Sequence, residues 1–243
     1  MNTIEKTFDV PSNGLFGGPK QITLRAMTTK EEKIILTTKD FSVFERIVKS
    51  CCVEPKDLDL GLLHQNDIIY LIFALRELTF GSTYIQEFIC PDCGVKSEIE
   101  VDIAEMTVNI LDTENLDERL TCTLPILGDE LQLKILSSGE INRLDRLIKQ
   151  KVAKNKLKDP DSYEFTLKLM ATIVTINGEE MLDEEAKRHY VDTLHLSDLQ
   201  MIQNTLNEID FGLDTTLIRT CDNCYNDEEV RGLICPEFFR PSK

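Results

Sequence analysis

Two pairs of cysteines, Cys90-Pro91-Asp92-Cys93 and Cys221-Asp222-Asn223-Cys224, set the tightest limit on how this chain folds. Two thiolates three positions apart on a tight turn aim at one point, and four such sulfurs complete the tetrahedral shell that Zn²⁺ prefers. The flanks agree. Residues 82–89 and 95–103 are β-prone runs on either side of the first turn, and Gly94 gives the backbone freedom where φ turns positive. Residues 215–220 and 229–234 bracket the second turn. The expected unit is a zinc ribbon of two β-hairpins, with Cys90, Cys93, Cys221 and Cys224 as ligands of one structural Zn²⁺. An insertion of roughly 110 residues separates its halves. A redox pair in each turn is the competing reading, but reactive Cys-x-x-Cys pairs sit at helix N-termini, and strands flank both turns here. With four protein ligands no position is left for a water, so the chemistry expected of the metal is folding rather than catalysis.

The chain has 243 residues, 42% of them hydrophobic, which suffices for a sizeable core. No apolar run reaches the length of a membrane span, and Met1-Asn2-Thr3-Ile4-Glu5-Lys6 lacks the basic-then-apolar pattern of a signal peptide. Eight cysteines in this arrangement point to a reducing cytosol rather than a disulfide framework. The net charge of −16 repels nucleic-acid phosphates, so nucleic acid is not an expected partner.

The fold class expected is α+β, in three parts. Residues 1–81 begin with strands at 4–10 and 21–27 around a turn-rich loop, whose Leu15-Phe16 tip either docks a partner or folds back onto the core. Thr29-x-x-Glu32 and Ser42-x-x-Glu45 have the form of capping boxes and start two helices. Cys51 and Cys52, at the end of the second, point about 100° apart and read as small apolar residues rather than a chelate. Asn66 or Asp67 caps a helix running to Leu78 that is apolar nearly all round and leads into the first ribbon strand. Residues 82–103 plus 215–236 are the discontinuous ribbon, and 104–214 a hairpin plus helical insertion. In the insertion, strands at 121–125 and 130–136 flank Gly128-Asp129, and Ser137 caps a helix carrying Ile141, Leu144, Leu147, Ile148 and Val152 on one stripe. A core helix starting at Asp161 or Ser162 takes in Ile173 and Val174; another covers 183–194, and a last one is capped by Ser197. Lys149, Lys151, Lys154, Lys156 and Lys158 form the one basic cluster, either a solvated helix face or a docking patch for an acidic partner.

No catalytic residue is assigned. His64, His189 and His195 stand in no metal or nucleophile motif, and the glycines between 14 and 18 lack the Lys-Ser/Thr of a phosphate loop. Cys122 and Cys235 receive no role. Binding, scaffolding or assembly is the class that remains, and the chain is not expected to be an enzyme.

Several runs, in order, carry a resemblance. They are Phe8-Asp9-Val10-Pro11-Ser12-Asn13-Gly14, then Ile22-Thr23-Leu24-Arg25-Ala26-Met27-Thr28-Thr29-Lys30-Glu31-Glu32, and Arg76 through Thr79-Phe80-Gly81-Ser82-x-Tyr84 into Cys90-Pro91-x-Cys93. Leu124-Pro125-x-Leu127-Gly128, Ile176-Asn177-Gly178, Leu196-Ser197-Asp198-Leu199, Phe211-Gly212-Leu213-Asp214 and Cys221-x-x-Cys224 follow. Over nearly its whole length the chain resembles the baseplate hub proteins of T4-like contractile-tailed bacteriophages. The resemblance implies a hub subunit or a hub assembly chaperone, acting in the host cytoplasm during assembly or in the virion tail baseplate. It implies other hub or tail proteins as partners, the tape-measure end among them. Two alternatives stand beside it: a cellular zinc-ribbon adaptor in transcription or translation, which the acidic surface disfavours, and an uncharacterised metalloenzyme, for which no polar constellation speaks.

Overall fold

The computed structural model describes residues 4–37, 42–154, 159–234 and 236–239; Lys156, Lys158 and Cys235 lie outside the described residues. Strands β1 (Glu5–Asp9) and β2 (Gln21–Arg25) pair antiparallel with Phe8 opposite Ile22, and the alternation sends Phe8, Ile22 and Leu24 inward. Helices α1 (Thr29–Thr37) and α2 (Ser42–Cys51) follow, and β3 (Cys52–Glu54) closes the sheet in the order β1-β2-β3. Against them lies α3 (Gln65–Phe80), whose Ile68, Leu71, Ile72, Phe73, Ala74 and Leu75 are all buried. A helix this apolar gains from burial on every side.

Two caps differ from the expectation. At α1 the box is Thr28 with Glu31: the Glu31 carboxylate accepts from the Thr28 N–H at 2.8 Å and from its hydroxyl at 2.9 Å. Glu31 turns inward to Arg25 and Ser50 while Glu32 faces solvent, so the box closes one residue earlier than Thr29–Glu32. At α3 the N-cap is His64, not Asn66 or Asp67. Its Nδ1 accepts from the Asn66 N–H at 3.2 Å, and Asp67 Oδ2 accepts from the His64 N–H at 2.7 Å. A neutral imidazole can take the place of the usual cap oxygen because it offers one acceptor nitrogen.

Asp67 and His64 also fasten the loop at 11–19. Asp67 Oδ1 accepts from the Ser12 N–H at 2.8 Å, the His64 ring stacks on Phe16 at 6.3 Å, and Leu15 packs against the second core described below. The Leu15-Phe16 tip therefore folds back. On its other side His64 meets Phe211 at 4.9 Å. Burial lowers the His64 pKa to about 4 from an ordinary 6.5. A histidine depressed in the folded state contributes its full stability above pH 6.5 and loses it as pH falls toward 4, about 3 kcal/mol in all. Burial raises the Asp67 pKa, which acts with the opposite sign, so the test is a comparison of variants. His64→Asn keeps a cap acceptor, and its melting temperature is expected to fall less than the parent's between pH 6.5 and 4. Parallel curves would mean that His64 is not the group responsible.

The joint from α3 to the next strand is built around Arg76, which is fully buried. Its guanidinium donates to the carbonyls of Gly81 and Thr83 and lies over the rings of Phe80 and Tyr84. Strand β4 (Thr83–Ile89) then pairs with β5 (Lys96–Asp102) as the first hairpin, and β6 (Thr107–Asn109) leads away from it. Next come α4 (Leu116–Arg119), β7 (Thr121–Thr123) and β8 (Glu130–Leu133). Helix α5 (Ser138–Ala153) starts at the expected Ser137 cap, with Glu140 closing the box. Its stripe is only partly covered, however: Ile148 is buried, while Leu147 and Val152 are exposed.

Helix α6 (Pro160–Thr172) is capped by Asp159 with proline in its first turn, upstream of the expected Asp161 or Ser162. It also ends sooner. Ile173-Val174-Thr175-Ile176 leaves the helix to become β9 (Ile173–Ile176), pairing with β8 in a sheet ordered β7-β8-β9. Four β-branched residues in a row favour the pleated surface over a helix, and Asn177 (φ 52°) with Gly178 (φ 79°) turns the chain immediately after. Helix α7 (Glu184–Asp192) has its cap at Asp183. Helix α8 (Leu196–Asn207) begins after His195, not at a Ser197 cap; Asp198 in its first turn is buried and accepts from the Ile126 N–H at 2.8 Å. Strand β10 (Gly212–Asp214) then pairs with β6, so the chain leaves and re-enters the ribbon side by side. The second hairpin is β11 (Thr216–Thr220) with β12 (Asp227–Arg231).

The fold is α+β. One apolar cluster joins β1, β2, α2 and α3 to Tyr84, Val101, Leu217 and Phe238 at the base of the two hairpins. A second gathers Leu111, Leu131, Leu133, Leu169, Ile173, Ile202 and Phe211.

Candidate metal centre

The two hairpin turns share a hydrogen-bond pattern. In the first, the Cys90 N–H donates to the Val95 carbonyl at 3.0 Å and the Gly94 N–H to the Cys90 carbonyl at 2.9 Å. In the second, the Cys221 N–H donates to Asn226 and the Tyr225 N–H to Cys221, each at 2.9 Å. The residue after the second cysteine of each pair is left-handed: Gly94 at φ 69° and Tyr225 at φ 61°. Glycine was the legible half of that symmetry. A tyrosine in the same conformation was not.

The turns face each other. Cys90 Sγ lies 3.7 Å from Cys224 Sγ and Cys93 Sγ 3.7 Å from Cys221 Sγ, and all four sulfurs fall within 4.8 Å of one another. Bonds of about 2.3 Å to a tetrahedral Zn²⁺ place sulfurs about 3.8 Å apart, so spacing and donor type both fit that ion. Cys90 and Cys221 are buried, and Cys93 and Cys224 half-buried. Hydrogen bonds from the Val95 N–H and then the Asn223 side chain hold the Cys93 thiol down to about 6. Cys224 is pushed up to about 12: the Asn226 N–H acts against the rise, and burial and the neighbouring thiols outweigh it. A metal that binds here displaces the remaining thiol protons.

Around the sulfurs the hairpins are clamped by side chains that the sequence patterns do not single out. Gln86, buried on β4, donates to the Arg231 carbonyl at 2.9 Å and accepts from the Leu233 N–H at 2.7 Å, a strand-like pairing made by one side chain. Its one signal is its position on the inward face of β4, two residues after Tyr84. Asn226 Nδ2 reaches Asp92 Oδ2 at 2.5 Å from one turn to the other. Arg219 pairs with Glu105 at 2.7 Å.

The other cysteines are placed elsewhere. Burial first, then the Glu31 charge, pushes Cys51 up to about 12, as expected of an inert core thiol. Cys52 is half-buried with its sulfur 3.3 Å from the Pro55 carbonyl, and Cys122 is buried in the second cluster. His189 and His195 are exposed. Among the described residues, no other group of three or more His, Cys, Asp or Glu side chains converges closely enough to hold a metal, and no helix is long and apolar enough to cross a membrane. Of the basic cluster, Lys149, Lys151 and Lys154 are exposed, and Lys151 lies over the Tyr163 ring at 4.5 Å.

Compared with known proteins, residues 1–240 match the family model described as T4 bacteriophage base plate protein. No curated protein and no solved structure matches.

Proposed function

The chain belongs to the T4 bacteriophage base plate protein family, and from that premise we propose that it is a zinc-stabilised, non-enzymatic protein of the base plate hub, working through protein–protein contacts. The observation that carries this reading is the match of the family over 1–240, nearly the whole chain. Cys90, Cys93, Cys221 and Cys224 would hold the Zn²⁺, which when bound cross-links the two hairpins. The chain's own residues do the rest: Arg76 fixes α3 to β4, β6 and β10 pin the insertion, and Gln86 joins the hairpins. A protein held at several such joints presents its surfaces to different neighbours in constant relation. Three structural parts follow, 1–81, 82–103 with 215–236, and 104–214, each offering a separate face to other hub or tail proteins or the tape-measure end. The protein acts as a hub subunit or an assembly factor, in the host cytoplasm and then at the virion tail.

Tagged protein isolated from infected cells is expected to carry about one Zn per chain and to bring hub proteins with it. With 43 acidic against 27 basic side chains, it is expected to leave labelled DNA unshifted at physiological salt. Copurification of RNA polymerase or ribosomal proteins in place of tail proteins, with a salt-sensitive DNA shift, would overturn this reading in favour of a cellular adaptor.

A further inference from the structure

Tyr225 combines two features that folding alone does not favour. Its backbone is left-handed at φ 61°, where a side chain costs about 1 kcal/mol or more and where the sister turn uses Gly94. Tyr225 is 79% exposed, so packing against the described residues offsets little of that cost. A strained, bulky residue held out to solvent is characteristic of a recognition site. It is not alone there. Ile89 on the first hairpin is 64% exposed and Ile218 on the second 70%, each within three residues of a cluster cysteine.

The charge on the two hairpins is predominantly negative. Asp222, Asp227 and Glu229 are exposed on the second hairpin, and Asp92, Glu98 and Glu100 on the first. Between Ser82 and Ile103 five carboxylates face one lysine, and between Thr215 and Ile234 four face two arginines. An exposed aromatic ring between Asp222 and Asp227 complements a segment that is basic and can lie flat on it, which describes arginine better than lysine. A second copy of this chain is a poor occupant, because two bodies of net charge −16 repel.

We propose that the ribbon tip around Tyr225 is a docking surface for an arginine-bearing basic segment of another base plate protein. This rests on the base plate reading above and names the chemistry of one partner. The test uses the full zinc-loaded chain with deca-arginine, deca-lysine and deca-glutamate peptides, followed by backbone amide shifts. Deca-arginine is expected to bind more tightly than deca-lysine, with shifts concentrated at 89–96 and 218–229, and deca-glutamate not to bind. Tyr225→Gly is expected to keep its zinc and its folded spectrum, since glycine serves the sister turn, and to weaken deca-arginine binding roughly thirtyfold. Ile218→Ser, at an exposed strand position, is expected to weaken it in the same direction. Shifts scattered over the acidic surface, unchanged affinity in Tyr225→Gly, or self-association without peptide would each overturn the proposal. If hub proteins still copurify with the parent while the peptide arm fails, the docking site is wrong and the base plate reading stands. If no tail protein copurifies, the base plate reading itself fails.

Discussion

Replacing Cys90 and Cys93 by serine is expected to leave the purified chain without metal and to abolish the tail-assembly role proposed above, with helix content nearly intact. Two thiolates cannot complete a tetrahedral site, and apparent binding energies of about 10 kcal/mol or more for four-ligand structural zinc are then lost. How far the damage spreads depends on what else closes the chain. Between the two hairpins lie more than a hundred residues, and closing such a loop unaided costs about 4 to 5 kcal/mol. The pairing of β6 with β10 shortens the path. Asn109 opposite Gly212, with Asn66 Nδ2 donating to the Phe211 carbonyl at 2.9 Å, holds the insertion at its base. From there to the sulfurs and back is about 20 residues, for which closure costs about 3 kcal/mol. Metal loss should therefore loosen β5, β11, β12 and the end of β4 while both apolar clusters persist. The eight α-helices of the described residues lie outside 82–103 and 215–234, so circular dichroism at helix wavelengths should barely change. Elemental analysis, circular dichroism and complementation of a tail-assembly defect check the three parts. Normal tails from a metal-free variant would show that the ribbon is dispensable.

The features legible in the sequence are those whose signal is local. The hairpins announce themselves through β-prone runs around Cys-x-x-Cys, and α5 through Ser137 and Glu140, because all the partners lie within a few residues. The errors lie where a distant partner decides. Thr29-x-x-Glu32 is as good a box on paper as Thr28-x-x-Glu31, and only Arg25 and Ser50 select Glu31. His64 is an unusual cap, made possible by a slot between the rings of Phe16 and Phe211 that come from two far parts of the chain. Ile173 and Val174 continue a helical apolar pattern, and the open edge of β8, some forty residues back, claims them as a strand. The four sulfurs converge from local motifs, but Gln86 and the β6–β10 pair, which hold them in relation to the cores, have no motif at all.

The largest effect away from the cysteines is expected at Glu31. Its side chain is wholly buried, and among the described residues its hydrogen-bond partners are all donors: Arg25 at 2.9 and 3.2 Å, Ser50 Oγ at 2.5 Å, and the N–H and hydroxyl of Thr28. Arg25 reaches on to the Ser50 carbonyl at 2.8 Å, so one carboxylate ties β2, the start of α1 and the end of α2 together. Burial alone would raise the Glu31 pKa, but the hydrogen bonds from Arg25, Ser50 and Thr28 prevail and hold it at about 2, below an ordinary 4.5. A depressed carboxylate contributes its stability above pH 4.5 and loses it as pH falls toward 2. Glu31→Gln keeps the shape but turns one acceptor into a donor facing donors. Breaking a buried pair from one side costs about 3 to 5 kcal/mol, and the lower figure applies because Arg25 keeps some contact with water. For a chain of this length that is a fall of about 10 °C in melting temperature. The variant should also decline less steeply than the parent between pH 4.5 and 2, since the share of that decline due to Glu31 is gone. A variant that melts with the parent at pH 7 would mean that the three elements are held by apolar packing alone and that the carboxylate is incidental.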